Sequence, residues 1–563
     1  VTPTGPTLAP APGPHHGPGT GANAATGFPG IFDPRRVHAR DSAFIRARDG
    51  YLATIRHDPG PPEYLAASDL HPGAYDRWLD HIWPATGCTH PIRLGGSIHN
   101  VDPATGEILT TTPTSALPDG VIYKACGNRR TSACPSCAET YRRDAFQLLR
   151  AGLIGGKGIP EHVAAHPAVF ATFTAPSFGP VHTRPVRAHT CASKADCTCK
   201  PEPCHARRDT ETCPHGRKLA CFTRHRRDDA RLGEPLCPDC YDYAAAVVWN
   251  NTVGELWRRT KQAIERHLTR LARQYGIAFH RVPCGNGRYR LVSPVRVGHG
   301  KAAEYQARGA VHFHALLRMD GLDPADPERL VPPPAALTAA DLEAAIRHAA
   351  AAITYATGPH PASPGKHGWT IGWGKELDVQ PITMSATATV TDLMAASYLA
   401  KYSTKGTEVT GHTSARLTPV TIRRYAKANG THTQRLIYAC WMIGSHPGWG
   451  SLQRWAHMLG FGGHFLTKAR HYSVTFGALR AARITYRRTQ DPGPEHGPIR
   501  TADQAAEETT LIVGNLTYAG TGWKTTGDAL LANTAADQAR KRREVGREEI
   551  VSDISYPGGQ QAA

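Results

Sequence analysis

His312, Phe313 and His314 stand in the apolar run AVHFHALL, with the two histidines at positions i and i+2. In a β-strand successive side chains alternate between faces, so both imidazoles point one way and Phe313 points into the core. Neutral imidazole is a common ligand for divalent metals, and two on one face supply part of a site. A carboxylate beside them would still leave positions on the ion open for a reacting group, as metal catalysis requires. Glu304 lies upstream across the turn Arg308-Gly309, so a hairpin would return it to the same face. Gln306 is the rival third ligand. An isolated His-x-His among 30 histidines is ordinary, and this one gains weight only from its company.

That company is the segment AASYLAKYSTKG. At about 100° per residue on a helix, with Tyr398 at 0°, Lys401 falls near ~300°, Tyr402 near ~40° and Lys405 near ~340°. Two phenols and two ammoniums then share one face. A tyrosine can attack a phosphodiester once its phenol loses a proton, which nearby lysine charge favours. The same lysines offset phosphate charge in the transition state. Tyr and Lys on one amphipathic face are common in helices without chemistry; beside the histidine pair they gain meaning.

The cysteines make a third pattern. Cys126, Cys134 and Cys137 are spaced C-x7-C-x2-C, with Cys88 as a fourth ligand. Cys213, Cys221, Cys237 and Cys240 make a second thiolate set, with His215 and His225 as possible substitutes. The two CPxC knuckles, CPSC and CPDC, point to structural Zn2+ with closed coordination. Cys191, Cys197, Cys199 and Cys204 form either a third site or an unrelated insertion. Cys284 and Cys440 read as lone buried cysteines.

These groups need elements to position them. The strand-like PAVFATFTAP and the stretches 289–297 and 310–318 supply a sheet. Helical periodicity covers AETYRRDAFQLLRAGLIGG, 241–275, 337–356, 391–403 and much of 417–488, and 370–387 is strand-like. The order predicts an α+β fold with an antiparallel sheet, helices and zinc-stabilised accessory segments. Five regions follow: a disordered Pro/Gly-rich 1–30, a zinc-containing 31–160, and a sheet domain over 161–410 with a cysteine-rich insertion at about 181–240. A mainly helical 411–490, a candidate DNA-binding region, and a C-terminal region 491–563 with a charged tail complete the chain.

With 563 residues, several domains are expected. Lys and Arg number 65 against 47 acidic residues, a net charge of +18, so nucleic acid is the natural polyanionic partner. No apolar run is long enough to span a bilayer, and the N-terminus lacks a signal peptide's charged start and apolar stretch. A cytoplasmic location with reduced thiols is the expectation.

At these residues the sequence resembles the actinobacterial plasmid replication initiators, rolling-circle Rep proteins of the HUH endonuclease superfamily. The segments that carry it are CGNRRTSACPSCAETYRRDA, HPAVFATFTAPSFGPVH, LGEPLCPDCYDYAAAVVWN, EYQARGAVHFHALLRMD and YLAKYSTKG, between about Cys88 and Arg488. The resemblance implies a sheet-based nicking domain in which VFATFTAP shapes the DNA site. His312 and His314, with Glu304 less firmly, hold Mg2+ or Mn2+. A tyrosine then attacks the origin to give a 5′-phosphotyrosine and a free 3′-OH. The Lys-Tyr-x-x-Lys context favours Tyr402, flanked by Lys401 and Lys405, as first nucleophile. Tyr398 falls where some relatives carry a Glu, which implies a second tyrosine attack at termination. Origin DNA is the implied partner, with host helicase and polymerase following. EYQARG-x-x-HFH is also similar to a rolling-circle transposon motif, which a helicase domain would favour; the sequence holds no GxxxxGK[ST] P-loop. A relaxase, a hydrolase without a covalent intermediate and a non-catalytic zinc-containing DNA-binding protein are the other readings.

Overall fold

The sheet that carries the histidine pair is built from segments spread over 300 residues of chain. It is seen in a computed structural model that describes residues 78–554 apart from 103, 188–198, 208–211, 362–364, 366, 383–390, 411–414, 428–429 and 491–510. The expected disorder of 1–30 and the cysteines Cys191 and Cys197 lie outside the described residues.

In chain order the strands and helices are β1 (Ile92–Val101), β2 (Ile108–Pro113), β3 (Ile122–Lys124), α1 (Pro135–Ile154), β4 (Ala168–Phe173) and α2 (Tyr243–Gln274). Next come β5 (His280–Pro283), β6 (Tyr289–Val292), β7 (Val295–Tyr305), β8 (Val311–Gly321), α3 (Ala339–Ala352), β9 (Thr354–Ala356), β10 (Thr370–Gly372) and β11 (Leu377–Pro381). The last are α4 (Asp392–Tyr402), α5 (His432–Gly444), α6 (Gly450–Arg454), β12 (Leu466–Lys468), α7 (Phe476–Gln490), β13 (Leu511–Thr521) and α8 (Thr526–Ile554). The fold is α+β with antiparallel sheets.

The central sheet runs β11-β4-β8-β7-β12, with antiparallel neighbours throughout. One face, with Val297, Ala303, Phe313, Ala315 and Leu317, packs on Trp249, Leu256 and Ile264 of α2 and Leu342 and Ile346 of α3. The other, with Ala302 and Leu316, packs on Leu148 and Leu149 of α1 and Ala396 and Leu399 of α4. Alternation along β7 and β8 therefore assigns one face to each helix pair. The site histidines share the face that meets α1 and α4.

Buried polar groups interrupt these cores, Arg318 and Lys301 among them. Arg318 is wholly buried and donates to both carboxylate oxygens of Asp320 at 2.6 and 2.9 Å. It also donates to the carbonyls of Gly152 and Tyr472, while His166 Nδ1 lies 2.7 Å from Asp320 Oδ1. Lys301 lies on the opposite face, 5% exposed, with Nζ 3.5 Å from the Phe313 ring centroid. Burial pushes its ammonium down to about 7. Between that value and the ordinary ~10.4 of an unfolded lysine, the folded chain gives up a proton that the unfolded chain keeps. Stability contributed by this group is thus lowest below pH 7 and rises as the pH climbs toward 10. Lys301→Met should stabilise the protein at pH 7 by roughly 1–3 kcal/mol, a margin that shrinks by pH 9.5. Urea midpoints of the two proteins at both pH values test it; an unchanging difference would refute the assignment.

A second sheet has β1 at its centre, with β13 along one side and β2 and β3 along the other. The C-terminal region, expected only as a separate region with a charged tail, therefore supplies a full-length partner for β1. The region 411–490, expected to be mainly helical, also supplies β12, which closes the edge of the central sheet opposite Gly300–Ala302. The strand expected over 289–297 is split at Ser293-Pro294, where proline removes a ladder donor. The helix expected to reach Ala356 ends at Ala352, and its last residues pair as β9 with β10. Cys440 is buried as expected, but Cys284 is exposed beside a turn of positive-φ residues, Gly285 to Gly287. No helix among the described residues is long and apolar enough to cross a membrane.

Candidate active site

The β7–β8 hairpin sets the register from which the site is built. Its turn, Gln306 to Ala310, is closed by Gln306 N–H donating to the Ala310 carbonyl and needs Gly309 at φ 76°. Glu304 then stands directly opposite His312, and Ala302 opposite His314. Glu304 Oε2 lies 3.1 Å from His312 Nε2 and 3.2 Å from His314 Nε2. The three ligand atoms fall within 4.8 Å of one another. Gln306, the rival third ligand, instead accepts a hydrogen bond from Arg308 Nε at 2.9 Å.

Strand β4 orients the pair. Thr172 faces His314 across the ladder, with Oγ1 3.0 Å from Nδ1, which leaves Nε2 aimed at Glu304. Phe170, two residues earlier on the same face, packs on both His314 and Tyr398. Burial lowers the His314 imidazole below its usual value, favouring the neutral form that binds metal. Burial alone would raise the Glu304 carboxyl, but hydrogen bonds with His312 and His314 and the charge of Lys405 hold it down to about 2. Two imidazole nitrogens and one carboxylate oxygen fit a divalent cation with open positions.

Helix α4 lies over this cluster. Thr391 caps it by accepting from Met394 N–H, and Asp392 in its first turn binds Arg150 of α1 at 3.0 Å. Ala395, Ala396, Leu399 and Ala400 are buried, which turns Tyr398 and Tyr402 toward the histidines. The Tyr398 ring is 4.9 Å and the Tyr402 ring 5.3 Å from His314, and the phenol rings are 4.4 Å apart. Burial, and the hydrogen bond with Tyr402, hold the Tyr398 hydroxyl above the ordinary phenol range. Lys405 Nζ sits 4.2 Å from the Tyr402 ring centroid and 3.2 Å from Glu304 Oε1. Lys401 is exposed, so the ammonium that reaches the site is that of Lys405.

The cysteines divide differently from their spacing. Cys88, Cys126, Cys134 and Cys137 do come together, with Cys126–Cys137 sulfurs 3.6 Å and Cys88–Cys134 sulfurs 3.9 Å apart. A tetrahedral zinc with bonds of about 2.3 Å spaces sulfurs about 3.8 Å apart. Cys213, Cys237 and Cys240 also meet, but their fourth partner is His215, with Nδ1 3.2 Å from Cys240 Sγ. Cys221 is placed elsewhere, beside His182, Cys204 and His225. The first cluster bears on the end of α4: Arg129, in the loop between Cys126 and Cys134, donates to the carbonyls of Ser403 and Lys405 at 2.8 and 2.6 Å. Sequence reasoning missed Arg129 and singled out β4 without naming Thr172; the signals were their positions in CGNRRTSAC and on one face of VFATFTAP.

Near Arg129 the surface opens into a cavity lined by Arg129, Arg130, Arg416, Trp455, His464 and Phe465, among others.

The comparisons with known proteins agree on family. A family model described as RepSA, replication initiator protein, pSAM2, matches residues 74–537. A replication initiator protein of Streptomyces ambofaciens is 40% identical over 488 residues, covering 86% of this chain and 95% of that protein. No solved structure matches.

Proposed function

The chain belongs to the replication initiator family matched by the RepSA model, and from that premise we propose that it starts plasmid replication by cutting one origin strand with a tyrosine. The observation that carries this reading is two phenols and the Lys405 ammonium over the Glu304–His312–His314 cluster.

Glu304, His312 and His314 would hold Mg2+ or Mn2+, which when bound polarises the scissile phosphate. Thr172 and Glu304 fix the imidazoles, so the phosphate is met by a prearranged site rather than a mobile one. The Tyr402 oxygen attacks phosphorus as its phenol gives up a proton. The new bond is Tyr402 O–P, and the bond from phosphorus to the 3′ oxygen breaks. That oxygen takes a proton and leaves as the 3′-OH that a polymerase extends, while the 5′ end stays on Tyr402 as a phosphotyrosine. Lys405 offsets charge on the phosphate. Tyr398, packed on Tyr402, serves the second attack that rejoins the ends.

A strand reaching this site needs a path, and the neighbouring cavity offers guanidinium groups for phosphates with aromatic faces for bases. Trp455→Ala should weaken binding of single-stranded origin DNA by about 1–3 kcal/mol, roughly 5- to 160-fold. Arg416→Ala should lower the slope of log affinity against log salt by about one. Fluorescence-anisotropy titrations at several salt concentrations measure both; unaltered binding in both variants would place the path elsewhere.

The reading itself is tested with labelled single-stranded origin DNA, protein and Mn2+ on a denaturing gel. A protein–DNA band that survives denaturation supports tyrosine transfer. Cleavage with no attached protein would make the chain a hydrolase, and binding with neither product would leave a DNA-binding module.

A further inference from the structure

We propose that His182, Cys204, Cys221 and His225 hold a structural zinc ion of their own, a Cys2His2 site inside the cysteine-rich insertion. Their ligand atoms lie within 4.8 Å of one another. His182 Nδ1 is 3.2 Å from His225 Nε2, Cys204 Sγ is 3.8 Å from His182 Nδ1, and Cys221 Sγ is 3.6 Å from His225 Nε2. A tetrahedral zinc with bonds of about 2.05 Å to nitrogen and about 2.3 Å to sulfur gives edges of about 3.3 Å for N–N and 3.6 Å for N–S. The observed edges are those of such a tetrahedron without its centre being specified by any of them alone.

The surroundings of His225 support the same assignment. Its side chain is wholly buried, and Nδ1 lies 2.7 Å from Asp229 Oδ2. With the Nδ1 proton directed to that carboxylate, Nε2 carries a lone pair and faces a second imidazole nitrogen and a thiol sulfur. A ligating histidine with its other nitrogen on a carboxylate is the usual arrangement around zinc. Arg231 in turn grips Asp229 with Nε and a terminal nitrogen at 3.2 and 3.0 Å, fixing the carboxylate. On the sulfur side, Thr183 N–H donates to Cys204 Sγ at 3.1 Å, a contact that stabilises a thiolate. An antiparallel bridge between His205 and Cys221 fastens the two cysteine segments together.

The stretch needs such an ion. Among the described residues from 182 to 240 the buried ones are Cys204, Cys213, His225, Gly233, Pro235 and Cys237, so there is no apolar core to order it. Zinc binding then supplies the folding free energy that burial does not. The spacing of Cys213, Cys221, Cys237 and Cys240 suggested one four-thiolate site; the structure instead assigns Cys221 to a separate ion.

The intact chain, as purified with zinc, tests this. Cysteines are alkylated during a stepwise chelator titration and mapped by peptide mass spectrometry, with released zinc measured alongside. Cys204 and Cys221 should become reactive together, in step with each other and separately from Cys213, Cys237 and Cys240. Native mass spectrometry of variants gives the second reading. Cys204→Ser and Cys221→Ser should each lose one zinc, their combination should lose no more, and Cys221→Ser with Cys237→Ser should lose two. Cys221 moving with Cys213, Cys237 and Cys240 in either measurement would overturn the proposal. So would Cys204 and Cys221 reacting at once while all zinc is still bound.

Discussion

Tyr402→Phe is expected to abolish the covalent protein–DNA band, with nicking down on the order of 10⁴-fold or more, while origin binding stays within a few fold. In the proposed reaction the Tyr402 oxygen is the bond-forming atom and Tyr398 acts only in the second attack; phenylalanine removes that oxygen but keeps the ring that packs on His314 and lies under Lys405. Binding survives because phosphate contacts by Lys and Arg supply most of the affinity. Tyr398→Phe should behave differently: the first adduct forms, and rejoining of the strand ends fails. His312→Ala should lose both steps while retaining binding. A gel in which Tyr398→Phe loses the adduct and Tyr402→Phe keeps it would exchange the two roles. If neither single substitution nor their combination removes the band, tyrosine chemistry at this helix is refuted.

Arg318→Ala is expected to cost about 3–5 kcal/mol and to lower the melting temperature by roughly 10 °C. The substitution leaves the wholly buried Asp320 carboxylate with His166 as its remaining partner and the Gly152 and Tyr472 carbonyls without their donor. Those carbonyls belong to α1 and to the segment after β12, so the guanidinium joins three parts of the chain behind the site. Replacing both partners, Arg318→Met with Asp320→Leu, should recover part of the loss, because two apolar groups leave no buried charge unpaired. Differential scanning fluorimetry followed by calorimetry measures it. A single variant that melts with the wild type would mean the network contributes nothing, and a double variant worse than the single would mean packing rather than charge sets the cost.

Much of the candidate site was legible because its ligands obey short-range periodicities. His312 and His314 needed only the alternation of a strand, and Glu304 only a hairpin turn at Gly309. Tyr398 and Tyr402 needed only the repeat of a helix. What the sequence did not reveal was long-range. Thr172 reaches His314 through a strand pairing across 142 residues, and Arg129 reaches the end of α4 across more than 270. The same limit explains Cys221: spacing groups ligands that are near in the chain, whereas its partners are chosen by which loops fold back on one another. Helical periodicity placed Lys401 and Lys405 on one face, yet the helix ends at Tyr402, and Lys405, beyond that end, turns its ammonium toward Glu304. β12 and β13 were missed because neither strand has a neighbour close in sequence.

The pairing of β13 with β1 has a consequence for how the protein is made. Val101 must wait for Leu511, about 410 residues later, before that side of its strand is covered. At ribosomal rates of about 5–20 residues per second, the interval is roughly 20–80 seconds. Throughout it, ten residues of β1 present a row of unsatisfied backbone groups to any other extended chain. Among the described residues, the first sheet to leave the ribosome is thus the last to be finished. Copies of this protein emerging side by side on one message are exposed to each other at that edge, and a chain cut short before 511 keeps it permanently open.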